Sequence, residues 1–239
     1  MAHPLIAKLG RRDKLTEAEQ QILETSAFTV RTFAAGEEVV AEGDSCDFSC
    51  LILEGWASRN KRLHDGRQQI TAFHIVGDFV DLHSFLLKPM DHTVVAVTGC
   101  KMAMVKHSVL REITENHPHL TRMLWLSTLI DAAIHREWLV TLGRLPAPAH
   151  LAHLICEMYL RLEAVGAAEN HAFEFPVTQT LLADALGLST VHVNRVVQEL
   201  RREKLITWRG ARVGIPNLDR LKLFAEFDPT YLNLLVAPR

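Results

Sequence analysis

Hydrophobic and polar positions divide the chain into a strand-rich part and a helical part. Between Phe28 and Val105, short apolar runs are separated by glycine-containing turns. Short strands spaced about ten residues apart are typical of a β-barrel or a double-sheet roll. Asp65-Gly66, between two alternating runs, predicts a hairpin. The runs that predict strands are 29–33, 38–40, 50–53, 69–73, 92–97 and 101–105.

Helical periods flank this strand-rich part. Residues from about Leu5 to Thr25 predict a helix, in which Thr16 and Glu19 form the pattern of a capping box. After Val105, the apolar spacing predicts a short helix over 107–115 and a long helix over 119–142.

The long helix carries two apolar stripes. One stripe can cover the β-roll, while the other can either pair with a second copy of the chain or pack within the same chain. We expect dimerisation. Gly143, Pro146 and Pro148 predict a break and a hinge after this helix. A further helix over 149–165 and a polar stretch from 166 to 171 follow. The apolar residues near heptad spacing are Met123, Leu126, Ile130, Ala133, Ile134 and Trp138.

Two short helices joined by a tight turn are predicted between Thr178 and Gln198. Gly187 suits a left-handed turn, and Ser189 is a good N-cap for the second helix. The buried face of that helix is predicted to consist of Val193, Val196, Val197 and Leu200. The opposite face carries Thr190, Asn194, Arg195 and Gln198, which can reach base edges or phosphates. This pattern is that of a helix-turn-helix, although similar helix pairs also occur in domains that do not bind nucleic acid.

A small hairpin follows the helix pair. Residues 205–208 and 211–215 are two short runs on either side of Arg209-Gly210, and they predict a wing. Six Arg or Lys residues occur from Arg195 to Arg212, against Glu199 and Glu203. This local basic surface suits phosphate contacts, although the net charge of the whole chain is −2. A last short helix is predicted over 218–224.

Composition narrows the class of protein further. Hydrophobic residues make up 48% and charged residues 23%, as is ordinary for a soluble globular protein. No apolar run approaches the length of a membrane span, and the first ten residues lack the apolar core of a signal peptide. The four cysteines are scattered rather than arranged in a disulfide framework, so we expect a reducing, cytoplasmic location. They are Cys46, Cys50, Cys100 and Cys156.

Several short motifs resemble those of the Crp/Fnr family of bacterial transcription regulators. In the strand-rich part they are Gly36-Glu37, Glu42-Gly43-Asp44, Leu53-Glu54-Gly55 and Val76-Gly77-Asp78-Phe79. In the C-terminal part they are Phe175-Pro176-Val177-Thr178-Gln179 and the stretch from Gly187 to Arg195. The resemblance covers nearly the whole chain, from about Phe28 to Leu221.

The resemblance implies an α+β architecture. It comprises an N-terminal β-roll (a double-stranded β-helix of the cyclic-nucleotide-binding type), a long dimerisation helix and a C-terminal winged helix-turn-helix. The expected division is 1–27 for an N-terminal helical segment, 28–107 for the β-roll, 108–143 for the dimerisation segment, 144–221 for the DNA-binding domain and 222–239 for a tail. The implied function is that of a homodimeric transcription regulator, either an activator or a repressor, that binds a near-palindromic site on double-stranded DNA and contacts RNA polymerase.

The resemblance also implies roles for residues of the second helix. Arg195 matches an arginine that reads guanine through a bidentate contact, although a contact with phosphate alone stays open. Thr190 and Val191 stand where relatives have an arginine and a glutamate, so the usual half-site is not expected. Base-reading candidates are Arg195, Asn194, Val191, Thr190 and Gln198. Phosphate-contacting candidates are Ser189, His192, Thr178, Arg201, Arg209 and Arg212.

The expected effector pocket departs from the cyclic-nucleotide-responsive relatives. Those relatives bind the cyclic phosphate with an arginine, but the matching region here reads Pro89-Met90-Asp91-His92-Thr93. We therefore do not expect cyclic AMP, although Asp81 could replace the glutamate that binds the ribose. An iron–sulfur cluster is not expected either, because no cysteine precedes Cys46. The effector-pocket candidates are Asp81, Leu82, His83, His92 and Thr93.

Other sensing chemistries and functions stay open at this stage. Haem ligation by His74 or His83 and a thiol switch at one of the cysteines are alternatives, and no cofactor or metal is predicted. A function of another class would be a cupin-like metal-dependent enzyme that uses some of His64, His74, His83 and His92. A regulator that acts only through protein contacts is a third reading, against which the basic wing argues. We expect a DNA-binding regulator and not an enzyme.

Overall fold

The chain folds into two compact units. The structure is a computed structural model in which residues 3–26 and 28–239 are described. The first, the β-roll unit, comprises the described residues of 1–61, 72–132 and 233–239. The second, the helix-turn-helix unit, comprises 62–71 and 133–232. The five-part division expected from the sequence stays a prediction.

The β-roll unit contains two antiparallel sheets. One sheet has the strand order β1-β7-β3 and the other the order β2-β6-β4-β5. Phe28 pairs with Val105 and Phe33 with Cys100, which fixes the register of β1 on β7. The strands are β1 (Phe28–Phe33), β2 (Glu38–Val40), β3 (Phe48–Glu54), β4 (Ala57–Arg62), β5 (Gln68–His74), β6 (Thr93–Ala96) and β7 (Cys100–Lys106).

Two apolar clusters hold this unit together. The first includes Phe33, Ile52, Val94 and Met102, with contributions from both sheets. The second joins the three-stranded sheet to the helices. Its buried members include Leu9, Leu23, Leu51, Ala103, Leu110, Leu120 and Met123. The helices are α1 (Pro4–Gly10), α2 (Glu17–Thr25), α3 (His107–Asn116) and α4 (Pro118–Arg144), and a 3-10 helix spans Leu82–Phe85.

The N-terminal segment differs from the single helix predicted over residues 5–25. Two helices form instead, because the side chain and the backbone of Thr16 cap the second helix and so begin it there. The capping box between Thr16 and Glu19 is confirmed, with Thr16 N donating to Glu19 Oε2 at 2.8 Å.

Strand β4 was not among the six predicted strands. Its central residues Ser58, Arg59 and Asn60 are polar but buried, with exposures of 1%, 6% and 3%. An inward-facing strand normally shows apolar residues at every second position, so this strand gives no such signal. Arg59 is paired with Val94 of β6, and its same-face neighbour Ala57 belongs to the first apolar cluster. The polar strand therefore brings an arginine into the interior of the roll.

The helix-turn-helix unit is built around a buried helix, α5 (Ala147–Ala164), of which every residue from Ala149 to Leu160 is buried. Three further α-helices, a 3-10 helix and a four-stranded sheet of order β10-β11-β9-β8 accompany it. These elements are β8 (Ala168–Glu169), β9 (Ala172–Glu174), α6 (Gln179–Leu186), α7 (Thr190–Arg202), β10 (Thr207–Arg209), β11 (Arg212–Gly214), α8 (Leu218–Phe224) and a 3-10 helix over Pro229–Leu232.

Two sequence-based expectations about this unit were wrong. The wing was expected to be a two-stranded hairpin, but β8 and β9 join it through the pairing of β9 with β11, so the wing sheet has four strands. Gly143 was expected to help break the long helix, yet α4 continues to Arg144. A single glycine costs a helix only about 1 kcal/mol, whereas Pro146 disfavours the helical conformation of the preceding residue, Leu145, and so ends α4.

A buried polar network joins the two longest helices within this unit. The carboxylate of Glu157, which is fully buried, accepts hydrogen bonds from Trp138 Nε1 at 2.9 Å and from Tyr231 Oη at 3.0 Å. Arg161 Nη1 lies 2.9 Å from the other carboxylate oxygen. Because one buried anion has three donors, its burial is compensated and the helices are held in register.

Among the described residues, no helix has both the length and the apolar character needed to cross a membrane.

Stability at acid pH should depend on His150 of α5. Burial, with a smaller contribution from His153, lowers the pKa of His150 from 6.5 to about 4. The unfolded chain therefore binds more protons between these two values, so stability is lost as the pH falls from about 6.5 towards 4. His153 also has a lowered pKa, through burial, against the opposing charges of Glu157 and Glu137.

We expect His150→Gln to lose less stability than the parent protein when the pH is lowered from 7 to 4.5. The difference should be at most about 3 kcal/mol in the free energy of unfolding, measured in urea at each pH. His64→Gln, a substitution at an exposed histidine, is the matched control. Parallel pH profiles of His150→Gln and the parent protein would contradict the assignment.

Candidate DNA interface and effector pocket

Helices α6 and α7 form the predicted helix-turn-helix. Thr178 caps α6 by accepting a hydrogen bond from Leu181 N at 3.2 Å. Gly187 ends that helix in the left-handed conformation, with φ of 65°. Leu188 N then donates to Ala183 O at 3.0 Å, and Ser189 Oγ accepts from His192 N at 3.2 Å. The turn and the cap together fix where α7 begins.

Helix α7 has one buried and one exposed face. The four residues predicted to be buried, Val193, Val196, Val197 and Leu200, are all buried. The opposite face is open, and Val191 is 62% exposed there although it is apolar. The residues predicted to contact bases or phosphates from this helix are all exposed, namely Ser189, Thr190, Val191, His192, Asn194, Arg195, Gln198 and Arg201.

The N-terminus of α7 carries both the Ser189 cap and the positive end of the helix dipole. Amide groups at the start of α7 favour an anion, because the first turn of a helix has unsatisfied N–H donors. Within the described part of the chain, Arg195 has no ion-pair partner, so its guanidinium is available to an outside acceptor. The exposed face thus combines hydrogen-bond donors with positive charge.

The wing adds two further arginines. Arg209 and Arg212 are exposed and face each other across the antiparallel pair β10–β11. Arg212 Nη1 lies 3.5 Å from Glu174 Oε1, and both side chains are more than half exposed. Such an exposed ion pair contributes little to stability and can be exchanged for a phosphate contact.

Gln68, in the tip 62–71 of the β4–β5 hairpin, meets α6 within the same unit. Its Nε2 atom donates to Asp184 Oδ2 at 2.6 Å, and Gln69 Nε2 donates to Ala185 O at 3.0 Å. The Asp65-Gly66 turn predicted for this hairpin is present, with Leu63 N donating to Arg67 O at 2.8 Å.

The effector-pocket candidates do not all share one site. Asp81 is fully buried, and its Oδ1 atom accepts a hydrogen bond from Cys50 N at 2.6 Å. Leu82 packs instead against the second apolar cluster. Thr93 Oγ1 accepts from Glu42 N at 3.1 Å. Asp81 and Thr93 thus already hold backbone groups of the roll.

Burial dominates the pKa values of two groups in the roll interior. Burial raises the pKa of Asp81 to about 7, opposed by its hydrogen bonds with Cys50 and, to a smaller extent, by the positive charge of Arg59. Burial also lowers the pKa of His92 to about 4, and the charge of Arg59 contributes in the same sense. Arg59 itself donates from Nη2 to Asp131 Oδ2 of α4 at 3.0 Å. An arginine in the roll interior was missed from the sequence, because β4 was missed.

Two of the four histidines considered for a metal enzyme lie together. The rings of His83 and His92 have centroids 5.0 Å apart, and His92 Nδ1 lies 2.7 Å from Asp91 Oδ1. His74 is elsewhere, with Nδ1 at 3.9 Å from Asp78 Oδ2, and His64 is exposed in the hairpin tip. The alternating pair of histidines on one strand that a cupin needs is not formed by these four residues.

The cysteines do not fit an iron–sulfur cluster. Cys50, Cys100 and Cys156 are buried, and Cys156 belongs to α5 of the other unit. Burial raises the pKa of Cys50 well above its usual value, and that of Cys156 to about 12. Since the thiolate is the metal ligand and the nucleophile, these buried thiols are poorly suited to either role.

Comparisons with known proteins agree with both units. Residues 30–117 match the model of a cyclic nucleotide-binding domain, and residues 149–224 match that of a Crp-like helix-turn-helix domain. The chain is 30% identical over 185 residues to the transcriptional activator protein FnrL of Cereibacter sphaeroides, covering 76% of this chain and 74% of that protein. It is also 30% identical over 213 residues to the transcriptional activatory protein AadR of Rhodopseudomonas palustris, covering 85% and 84% of the two chains.

A solved structure shares the fold. That of FixK2 from Bradyrhizobium japonicum superposes with a TM-score of 0.74 at 24% identity, over 83% of this chain and 97% of the other. The α+β architecture expected from the sequence, with an antiparallel roll, long helices and a C-terminal helix-turn-helix, is confirmed.

We expect Gly187→Ala to destabilise the protein by about 1 kcal/mol or more. Alanine is strained at the left-handed φ of this position, and its Cβ would lie 3.2 Å from Leu142 Cδ1. Gly10→Ala is the matched control, because Gly10 lies in a helix without positive φ and has open space around it. Urea denaturation of both variants checks this, and equal stabilities would argue against strain at the turn.

Proposed function

Because the chain belongs to the Crp/Fnr family of transcription regulators, we propose that it binds a near-palindromic promoter site as a homodimer and activates transcription there. It is a DNA-binding regulator and not an enzyme. The observation that carries the proposal is the exposed, positively charged and hydrogen-bonding face of α7, which the glycine turn and the serine cap position.

In this proposal, the exposed face of α7 enters the major groove. Arg195 reads guanine through its forked guanidinium, and Asn194 reads an adjacent base edge. Val191, which is 62% exposed, meets a thymine methyl group. Thr190 and Gln198 complete the base-reading set. Ser189, His192, Thr178, Arg201, Arg209 and Arg212 contact phosphates on either side.

Helix α4 supports the proposed homodimer. Its residues Trp125, Leu129 and Leu139 are 64%, 51% and 74% exposed, although they are large and apolar. Trp125, Leu129 and Leu139, together with the exposed Arg136, are separated by four, seven and three residues in chain order. These intervals place them along one side of the helix, in a stripe with the period of a coiled coil. Pairing of two such stripes would bury this surface and hold two copies of α7 one helical turn of DNA apart.

We propose that the β-roll senses a signal. RNA polymerase is proposed as a further partner, and the protein is proposed to act in the cytoplasm. Arg59 supports the sensing role, because it reaches from the roll interior to Asp131 of α4. A change of charge or shape near His92 would act on this ion pair. Asp81, Leu82, His83, His92 and Thr93 stay candidates for contacts with an effector.

We expect Arg195→Ala to remove specific DNA binding while the dimer survives. Loss of a bidentate guanine contact should cost about 1–3 kcal/mol in each half-site. A gel-shift titration against a known target promoter and an unrelated duplex measures the loss. Arg202→Ala is the matched control on the same helix, since Arg202 lies beside Glu203 at 3.7 Å. Retained discrimination between the two duplexes would contradict the role given to Arg195.

We expect Leu129→Glu to convert the dimer into a monomer at micromolar concentration. A carboxylate in the middle of an apolar interface would have to be buried without a partner. Light scattering after size-exclusion chromatography measures the mass. Leu223→Glu is the control, because Leu223 is 82% exposed on α8 and does not lie on α4. An unchanged dimer in Leu129→Glu would place the interface elsewhere.

A further inference from the structure

His83, Asp91 and His92 form a compact cluster in the β-roll unit. One possible ligand atom from each of the three lies within 4.8 Å of the other two. His83 belongs to the 3-10 helix over Leu82–Phe85, whereas Asp91 and His92 immediately precede β6. The fold therefore brings together three metal-binding side chains from two segments of the chain.

The orientation of His92 fits metal binding. Its Nδ1 atom lies 2.7 Å from Asp91 Oδ1, which leaves Nε2 as the nitrogen that can bind a ligand. His92 is 7% exposed, and its Nε2 atom is buried without a hydrogen-bond partner among the described residues.

The distances are close to those of a metal site. Two ligand atoms bound to the same Zn²⁺ ion, each at about 2.1 Å, are separated by roughly 3.4 Å in tetrahedral geometry. The 4.8 Å limit on the three ligand atoms is larger by little more than 1 Å. Rotation of the exposed Asp91 side chain and a small shift of one imidazole would close this gap.

The nearby arginine does not exclude a cation. Arg59 has its charge offset by Asp131, whose Oδ2 atom lies 3.0 Å from Nη2. Asp91 contributes a further negative charge on the solvent side, where its side chain is 83% exposed. The cluster is therefore not a purely positive environment.

We propose that His83, His92 and Asp91 form a binding site for a divalent first-row transition metal. Two imidazoles and a carboxylate favour Zn²⁺, Co²⁺, Ni²⁺ or Fe²⁺ over Mg²⁺ and Ca²⁺, which prefer oxygen ligands throughout. Three protein groups leave at least one position for water or an outside ligand, as in exchangeable rather than structural sites. The metal would join the 3-10 helix to the start of β6.

The experiment uses the full chain without a purification tag, stripped of metal with EDTA and dialysed. Titration with Co²⁺ should give visible d–d absorption that saturates at one ion per chain, and Zn²⁺ should displace it. Sulfur-to-cobalt charge transfer should be absent, because no cysteine belongs to the cluster. Zn²⁺ should also raise the melting temperature.

His83→Gln and His92→Gln should each abolish the cobalt spectrum. Asp91→Asn should raise the Co²⁺ concentration at half-saturation, because a neutral amide replaces the carboxylate, one of the three proposed ligands. His64→Gln, at the exposed hairpin tip, should bind like the parent protein.

Melting curves in EDTA establish that each variant is folded. If the two histidine variants do not fold, Asp91→Asn still decides the matter, because its exposed side chain tolerates substitution. The proposal is overturned if the parent chain binds no Co²⁺ or Zn²⁺, or if the folded variants of the cluster bind as tightly as the parent protein.

Discussion

The position of α7 depends on one backbone constraint, the left-handed conformation at Gly187. A residue with a Cβ atom would be strained at this φ value and would crowd Leu142, so glycine is favoured at the turn. Ser189 then satisfies an N–H group of the next helix, which starts α7 within two residues of the turn. With the start fixed, the valine face has to point inward and the polar face outward. The chemistry of the proposed DNA surface follows from that geometry.

A second constraint operates in the β-roll. Strand β4 buries polar side chains where a roll would normally bury apolar ones, and Arg59 is the most consequential of them. A buried guanidinium needs a partner, and Asp131 of α4 supplies one. The charge of Arg59 also acts on Asp81 and His92. The interior of the roll is thus electrostatically connected to the helix on which the proposed dimer depends.

Much of this could be predicted from the sequence, because it rests on local rules. The capping box at Thr16, the turn at Gly187 and the cap at Ser189 are written in a few neighbouring residues, and the apolar spacing of α7 indicates its buried face. Strand β4 could not be predicted in the same way, since its inward residues are polar. The pairing of β8 with β9 was missed for another reason: both strands are too short to show an alternation of apolar and polar residues.

The candidate site in the roll required contacts that are distant in sequence. His83 and His92 were both considered for a metal site, but only the fold shows that their rings meet while His64 and His74 lie elsewhere. The tight link between Asp81 and Cys50 likewise depends on how the 3-10 helix packs against β3. On the DNA-binding side, exposure of Arg195 and its neighbours followed directly from helix periodicity.

Selection of binding sites from a random DNA library by the purified full-length protein tests the central claim most directly. The account predicts an enriched near-palindrome whose half-sites are centred about 10 base pairs apart, as two α7 helices in successive major grooves require. Each half-site should contain a guanine whose enrichment disappears in Arg195→Ala. Enrichment of a single unpaired half-site, or of no sequence at all, would contradict it.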